Sequence, residues 1–160
     1  METPLHYSAL IFDSCQDEND SFENLKHDID LFNQDPNCTQ IIVNCLSEWQ
    51  LKLALSPQPK TMLVQMATHP YVALVNGLKA VTEENVMVVG LSTPIMESDK
   101  KSILDALRTY PALYKHNDLQ GFDTRLLMFC LQHTIEQNIA IDSYLQAVSV
   151  YGDTPIITLP

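Results

Sequence analysis

Tyr7-Ser8-Ala9-Leu10-Ile11-Phe12 is a nearly continuous apolar run near the start of the chain, and it has the length of a buried strand. Apolar side chains then recur at helical spacing: Phe22, Leu25, Ile29 and Phe32. Asp20 or Ser21 can cap this helix, and Asp35-Pro36-Asn37 ends it, because proline lacks the N–H that a helix interior needs. Gln40-Ile41-Ile42-Val43-Asn44 predicts the next strand. This order indicates a right-handed βαβ unit with parallel strands.

The same alternation continues along the 160 residues, without a linker or an internal repeat. Further strands are predicted at Thr61–Gln65, Asn85–Val89 and Thr154–Thr158. A short helix is predicted to open with a capping box at Ser47–Gln50, and a second helix is predicted over Tyr71–Ala80. A third helix should begin at Ser98 and end at Pro111. The last two helices are predicted over Phe122–Asn138 and from near Asp142. We therefore predict one α/β domain over residues 1–160, a three-layer sandwich whose mostly parallel sheet is covered on both faces. Its central, buried strands should carry Leu10, Ile42, Leu63 and Val88.

Composition narrows the class of ligand. The chain has 9 Lys+Arg against 20 Asp+Glu, a formal net charge of −11. Nucleic acids and anionic membranes need clustered cations, so we expect neither as a partner of this acidic protein. No apolar run approaches the roughly 18 residues of a membrane span, and the N-terminus lacks the pattern of a signal peptide, so we expect a cytoplasmic location.

Cysteines and histidines give no metal-binding pattern. Cys15, Cys38, Cys45 and Cys130 lack C-x-x-C spacing, and the histidines lack H-x-x-x-H spacing: His6, His27, His69, His116 and His133. Buried thiols in a reducing compartment are the expected state of the cysteines, and no metal site is predicted from either residue type.

The loop after the first strand is acidic. Residues 13–20 carry four carboxylates, with no cation and no glycine, so this loop should repel phosphate. A solvated loop is the plainest interpretation. A divalent-metal site is an alternative, although no EF-hand glycine is present. Leu10-Ile11-Phe12-Asp13 is also similar to the first motif of haloacid-dehalogenase-like phosphatases, but Cys15 replaces the second aspartate.

Five segments occur in the order of one known family. Asn76-Gly77-Leu78-Lys79-Ala80 matches a helix motif S-V-x-N-G-L-K-A, and Val86–Pro94 is similar to a strand followed by V-H-D-A-A-R-P. Gln120-Gly121-Phe122 resembles the end of Q-T-P-Q-x-F, and Leu126–Ala147 follows a two-helix pattern in which Asp142 stands within a T-D-D motif. The fifth segment is Leu31–Pro36, which leads into Ile41-Ile42-Val43.

On these segments the chain resembles the 2-C-methyl-D-erythritol 4-phosphate cytidylyltransferase family, which includes ribitol-phosphate cytidylyltransferases. The resemblance covers the chain from about Ala9 to near its C-terminus. It implies a nucleotide-diphospho-sugar-transferase-like (Rossmann-like) fold and, for an active member, nucleotidyl transfer with Mg²⁺ in isoprenoid biosynthesis.

The chain departs from the family where the family binds its ligands. The glycine- and arginine-containing first loop is replaced by the stretch that begins Asp13-Ser14. An arginine falls on His69 or Pro70, and a base-contacting serine falls on Ala73. The metal-binding aspartate falls on Gly90, the substrate-binding arginine on Thr93, and a late lysine on Ile156. By resemblance, then, the degenerate ligand-site positions are Asp13, Ser14, His69, Ala73, Gly90, Thr93 and Asp142.

These departures predict a catalytically inactive protein. Cytidylyl transfer needs cations and a metal at the phosphates, and one lost donor typically costs about 10²–10³ in rate. We expect a pseudoenzyme with a binding or regulatory role, no catalytic residues and no cofactor. The alternatives are an active transferase, which would need Mg²⁺, and an α/β scaffold protein that is similar only by convergence.

The family's dimer is not expected either. Family members insert a β-arm before the Q-T-P-Q segment, whereas Ala112–Leu119 is too short for a hairpin arm. We expect a monomer, or a dimer formed through another surface, whose protein or small-molecule partner the sequence does not identify.

Overall fold

The structure, a computed structural model, describes residues 5–12, 21–45, 47–64, 70–137, 144–152 and 154–160. Its strands are β1 (Tyr7–Phe12), β2 (Cys38–Asn44), β3 (Thr61–Val64), β4 (Asn85–Val89), β5 (Ala112–His116), β6 (Leu119–Asp123) and β7 (Ile157–Thr158). Its helices are α1 (Phe22–Asn33), α2 (Ser47–Leu55), α3 (Pro70–Lys79), α4 (Glu97–Leu107), α5 (Thr124–Glu136) and α6 (Tyr144–Tyr151). None of the helices in these ranges is both long and apolar enough to cross a bilayer.

The seven strands form one mixed sheet in the order β3-β2-β1-β4-β6-β5-β7. β1 pairs in parallel with β2 and β4, β2 with β3, and β5 with β7. Only β6 runs antiparallel to its neighbours β4 and β5. The predicted α/β sandwich with a mostly parallel sheet is therefore confirmed.

Hydrophobic cores lie on both faces of the sheet, because successive strand residues point to opposite sides. Tyr7, Ala9 and Ile11 of β1 belong to the core that includes residues of α1, α2 and α4. Leu10 belongs to the core that includes residues of α3, α5 and α6. Two helical layers thus enclose the sheet.

One predicted feature of the sheet is wrong, and one part of the sheet was not predicted. Leu10, Ile42 and Val88 are buried on inner strands, but Leu63 is only half-buried because β3 is an edge strand. The sequence analysis also missed the β5–β6 hairpin. Residues 112–123, which include the Ala112–Leu119 segment predicted to be too short for an arm, form this hairpin inside the sheet, with β6 paired to β4.

Several element ends also differ from prediction. The long helix begins at Thr124 rather than Phe122, because Phe122 is part of β6. α4 ends at Leu107, before Pro111 could stop it, and the closing strand is confined to Ile157–Thr158. Ser21 is the N-cap of α1, where its Oγ accepts from the backbone N of Asn24 at 3.1 Å. Asp20, Gln65, Asn138, Asp142 and the Ser47 side chain lie outside what the structure describes.

Candidate functional site

The candidate site lies at the carboxyl ends of the parallel strands, where open α/β sheets bind ligands. β4 ends at Val89, and the loop 90–93 follows it directly. Because β6 is antiparallel to β4, the start of β6 meets this same end of the sheet, and Val89 is paired with Leu119. The turn before β6 consequently places Asp118 beside the loop 90–93.

Asp118 is bonded to this loop through both its backbone and its side chain. Gly90 donates its backbone N–H to the Asp118 carbonyl at 2.9 Å. Ser92 N lies 3.2 Å from Asp118 Oδ1, and Thr93 N lies 3.1 Å from Oδ2. The Thr93 hydroxyl also donates to Oδ2, at 2.7 Å. Consecutive amides of this kind form an anion-binding concavity, and here the anion is the chain's own carboxylate.

Glycine at position 90 makes this arrangement possible. A Cβ built on Gly90 would lie 2.4 Å from Asp118 Oδ1 and 3.3 Å from Asp118 Cα. Any larger residue would therefore displace the Asp118 side chain from its hydrogen bonds. By resemblance, position 90 is where the family has its metal-binding aspartate, so that aspartate and the present position of Asp118 are sterically incompatible.

The helix α1 supports the following segment of the same loop. Asn24 Nδ2 donates to the carbonyl of Leu91 at 2.8 Å, and the backbone N of Ile95 donates to Asp28 Oδ1 at 3.0 Å. His27 Nδ1 lies 3.1 Å from that same Oδ1. The Asp28 side chain is fully buried, and its Oδ2 has no hydrogen-bond partner within the described ranges.

Burial raises the pKa of Asp28 to about 6, against the opposing effect of its bonds to Ile95 and His27. The negative charge of Asp118 makes a smaller upward contribution that is included in this pKa. The structure therefore buries one carboxyl group at this end of the sheet that ionises only near neutral pH.

A second buried polar residue ends β2. Asn44 Nδ2 donates to the carbonyl of Ala73 at 2.7 Å, and Asn44 Oδ1 has no partner among the described residues. Ala73 is fully buried. Its side chain contributes packing and presents no surface to a ligand.

Of the degenerate site positions predicted from sequence, the structure describes Ala73, Gly90 and Thr93. Gly90 and Thr93 meet at Asp118, whereas Ala73 lies next to Asn44. Asp13, Ser14, His69 and Asp142 lie outside the described residues. No group of three His, Cys, Asp or Glu side chains that could hold a metal ion occurs in the described part of the chain.

Asp28, Asn44 and Asp118 were not predicted as site residues from the sequence. Only Asp118 carried a usable local signal, because Asn117-Asp118 is a polar pair typical of a turn and precedes the apolar Leu119. That signal predicts a turn and does not indicate the partner of the aspartate.

The chain is an α/β protein with a mixed seven-stranded sheet, and solved structures show which proteins share this fold. A 4-diphosphocytidyl-2C-methyl-D-erythritol synthase from Anaerococcus prevotii superposes with a TM-score of 0.80 at 14% identity, over 98% of this chain and 89% of that one. The 2-C-methyl-D-erythritol 4-phosphate cytidylyltransferase of Francisella tularensis has a TM-score of 0.75 at 13% identity, over 96% of this chain and 89% of that one. The Thermus thermophilus cytidylyltransferase superposes with a TM-score of 0.72 at 14% identity, over 97% of this chain and 88% of that one.

No protein-family model and no curated protein sequence matches the chain. At 13–15% identity the structural likeness concerns the fold alone. The fold expected from the sequence motifs is thus the fold that these cytidylyltransferases have.

Proposed function

We propose that this chain is a catalytically inactive, cytidylyltransferase-like protein with a binding or regulatory role. The observation that carries the proposal is the contact between Asp118 and the loop 90–93. The amides of Ser92 and Thr93 and the Thr93 hydroxyl all donate to the Asp118 carboxylate. A phosphate that approached this loop would find those donors already bonded and would meet a negative charge.

The electrostatics of this end of the sheet support the same proposal. Nucleotidyl transfer builds negative charge on phosphate oxygens, which an enzyme stabilises with metal ions, Lys or Arg. Asp118 accepts hydrogen bonds from backbone amides and a hydroxyl, and no described Lys or Arg pairs with it. An excess of anionic groups here is the opposite of what a nucleoside triphosphate requires.

Assembly and location are part of the proposal. The hairpin of residues 112–123 is used inside the sheet, so we propose a monomer, or a dimer that does not use the family's arm. The net charge of −11 supports a partner other than nucleic acid or an anionic membrane. We place the protein in the cytoplasm and assign it no cofactor.

The direct test is an assay of pyrophosphate release from cytidine triphosphate with Mg²⁺. The acceptors are 2-C-methyl-D-erythritol 4-phosphate and ribitol phosphate, and the Thermus thermophilus enzyme assayed in parallel is the positive control. We expect no turnover above background.

Thr93→Val and Asp118→Asn make the assay decisive. Both variants nearly preserve shape and change the donors or the charge at the loop. Turnover by the native chain that either variant abolishes would overturn the proposal and favour an active transferase. Turnover that both variants retain would be assigned to a contaminating enzyme.

A further inference from the structure

A groove of about 340 Å³ lies between α1 and α2. Its walls on α1 are Phe22, Lys26, Ile29 and Asp30, which recur at helical spacing and so form one stripe. Its other wall is formed by Lys52, Leu53 and Leu55 of α2, followed by Ser56 and Gln58. This volume falls within the roughly 300–1,000 Å³ typical of small-molecule sites.

One contact between the two helices and one between α1 and the segment after α2 flank the groove. The Phe22 and Trp49 rings lie 6.2 Å apart at the beginning of the helices. Asn33 Nδ2 lies 3.5 Å from Gln58 Oε1 at the other end. The groove therefore lies between these two contacts and is lined by apolar side chains from both of its walls.

The ammonium groups of Lys26 and Lys52 lie at the edge of this apolar groove. Lys52 Nζ lies 5.0 Å from the centre of the Phe22 ring, and Lys26 Nζ lies 6.0 Å from it. Both lysines are exposed, and no described residue forms an ion pair with either. With Asp30 as the one carboxylate in the lining, the groove has a local charge of +1 in a chain of net charge −11.

We propose that this groove binds a small amphipathic anion, which has an apolar body and a single carboxylate. The body would lie against Ile29, Leu53 and the side of Phe22, and the carboxylate would lie between Lys26 and Lys52. Leu55 is 87% exposed at the edge of the groove, and a bound apolar chain would cover it.

The charge of the whole chain selects a small molecule over an acidic protein segment. A protein partner that carries many carboxylates would bring them against a surface of net charge −11, and the repulsion would extend over about a Debye length of 10 Å. A single carboxylate is balanced locally by the two lysines. The site is separate from the loop 90–93, so this proposal and the proposed lack of catalysis can fail independently.

The test uses octanoate as the probe and 1-octanol as its neutral counterpart, followed through backbone amide resonances of the full chain. We expect saturable octanoate shifts confined to α1 and α2, and weaker binding of octanol. Lys26→Gln combined with Lys52→Gln should weaken octanoate binding about five- to tenfold and leave octanol nearly unchanged, because each exposed ion pair contributes little. Lys101→Gln, an exposed lysine on α4, is the matched control and should change neither.

A second pair of variants tests the apolar wall without disturbing the fold. Leu55→Ser should weaken both probes, whereas Leu51→Ser should weaken neither, since Leu51 is 70% exposed on the same helix but does not line the groove. Octanoate shifts spread over the whole chain, or binding insensitive to both lysine changes, would overturn the proposal. So would a concentration-dependent dimer that Leu55→Ser abolishes, because a second copy would then occupy the groove.

Discussion

At the amino ends of β1 and β2 a buried carboxylate is paired with a lysine, whereas at the carboxyl ends of the strands the buried carboxylates have no such partner among the described residues. Asp35 Oδ2 lies 2.8 Å from Lys100 Nζ and accepts from the Tyr7 hydroxyl at 2.6 Å. Asp35 Oδ1 accepts from the backbone N of Asn37 at 2.9 Å. Burial acts to raise the pKa of Asp35, but these hydrogen bonds outweigh it, and the pKa is lowered.

The same rules of burial give a different result at the other end. Asp118 is held by amides and a hydroxyl, and Asp28 by the Ile95 amide and His27. Burial raises the pKa of Asp28 because no Lys or Arg compensates for the lost water. The amino end of the sheet therefore balances its buried charge with an ion pair that contributes stability. The other end keeps negative charge at the place where related folds bind phosphates.

Removing the ion pair at the amino end of the sheet should have the largest effect on stability. Asp35→Asn removes the buried charged partner of the Lys100 ammonium, which is 4% exposed, and leaves it only the exposed Glu97 carboxylate at 3.0 Å. We expect a loss of about 3–5 kcal/mol in the free energy of unfolding, measured by urea denaturation at pH 7. Because the pKa of Asp35 is lowered in the fold, its contribution is present above the unfolded pKa of about 3.9 and is lost as the pH falls below it.

Two further variants separate the effect of the ion pair from the effect of removing any carboxylate in this region. Asp30→Asn changes an exposed carboxylate on nearby α1 and should alter stability by less than about 0.5 kcal/mol. Combining Asp35→Asn with Lys100→Met removes the unpaired charge and should recover part of the loss. If Asp35→Asn costs as little as Asp30→Asn, the amino end is not stabilised by this pair.

Removing Asp118 should have an intermediate effect on stability. Asp118→Ala leaves the amides of Ser92 and Thr93 and the Thr93 hydroxyl without their acceptor, which should cost about 2 kcal/mol. The freed donors would then be open to inorganic phosphate. We expect phosphate to raise the melting temperature of the variant more than chloride does at equal ionic strength, and to have no such effect on the native chain.

Asp118→Asn provides the comparison for this experiment, because it retains a carbonyl oxygen for one set of donors and should lose less stability than Asp118→Ala. A native chain that phosphate stabilises as strongly as the alanine variant would contradict the arrangement. The loop would then bind an external anion with Asp118 in place.

Local sequence pattern predicted the parallel part of the sheet well. The bounds of β1 and β4 were predicted residue for residue, because both strands are buried on both faces and so consist mainly of apolar residues. The β5–β6 hairpin was missed because Lys115, His116 and Gln120 interrupt any apolar run, and pairing with β4 is a long-range property. Phe122 was assigned to a helix because its spacing to Leu126 fits a helical face as well as a strand end.

The candidate site was harder to predict than the fold. Gly90 and Thr93 were identified through motif resemblance, but the residue that joins them was not. Asp118 lies 25 and 26 residues from the loop amides that it accepts, and Asp28 lies 67 residues from Ile95. A local sequence pattern does not predict contacts between residues so far apart in the chain, because these contacts depend on which strands become neighbours in the sheet.

Neutralising Asp28 should have the smallest effect, and it should increase stability. The pKa of Asp28 is about 6 in the folded protein, against about 3.9 in an unfolded chain. As the pH rises from about 4 to about 6, the unfolded chain releases this proton first, so the free energy of unfolding falls by up to about 3 kcal/mol and then levels off. Asp28→Asn removes this fall and should make the protein about 1–2 kcal/mol more stable at pH 7.

The gain is smaller than the full linkage because the new amide nitrogen would occupy the place of Oδ2, which has no described partner, and would itself remain unsatisfied. Denaturation curves between pH 4 and pH 8 measure the effect as a difference from the native chain. Glu23→Gln, an exposed carboxylate on α1, should leave the pH profile unchanged. A variant that is less stable at pH 7 and equally pH-dependent would mean that Asp28 is ionised and compensated in the fold. The carboxyl end would then be as well balanced as the amino end, and the contrast between them would be lost.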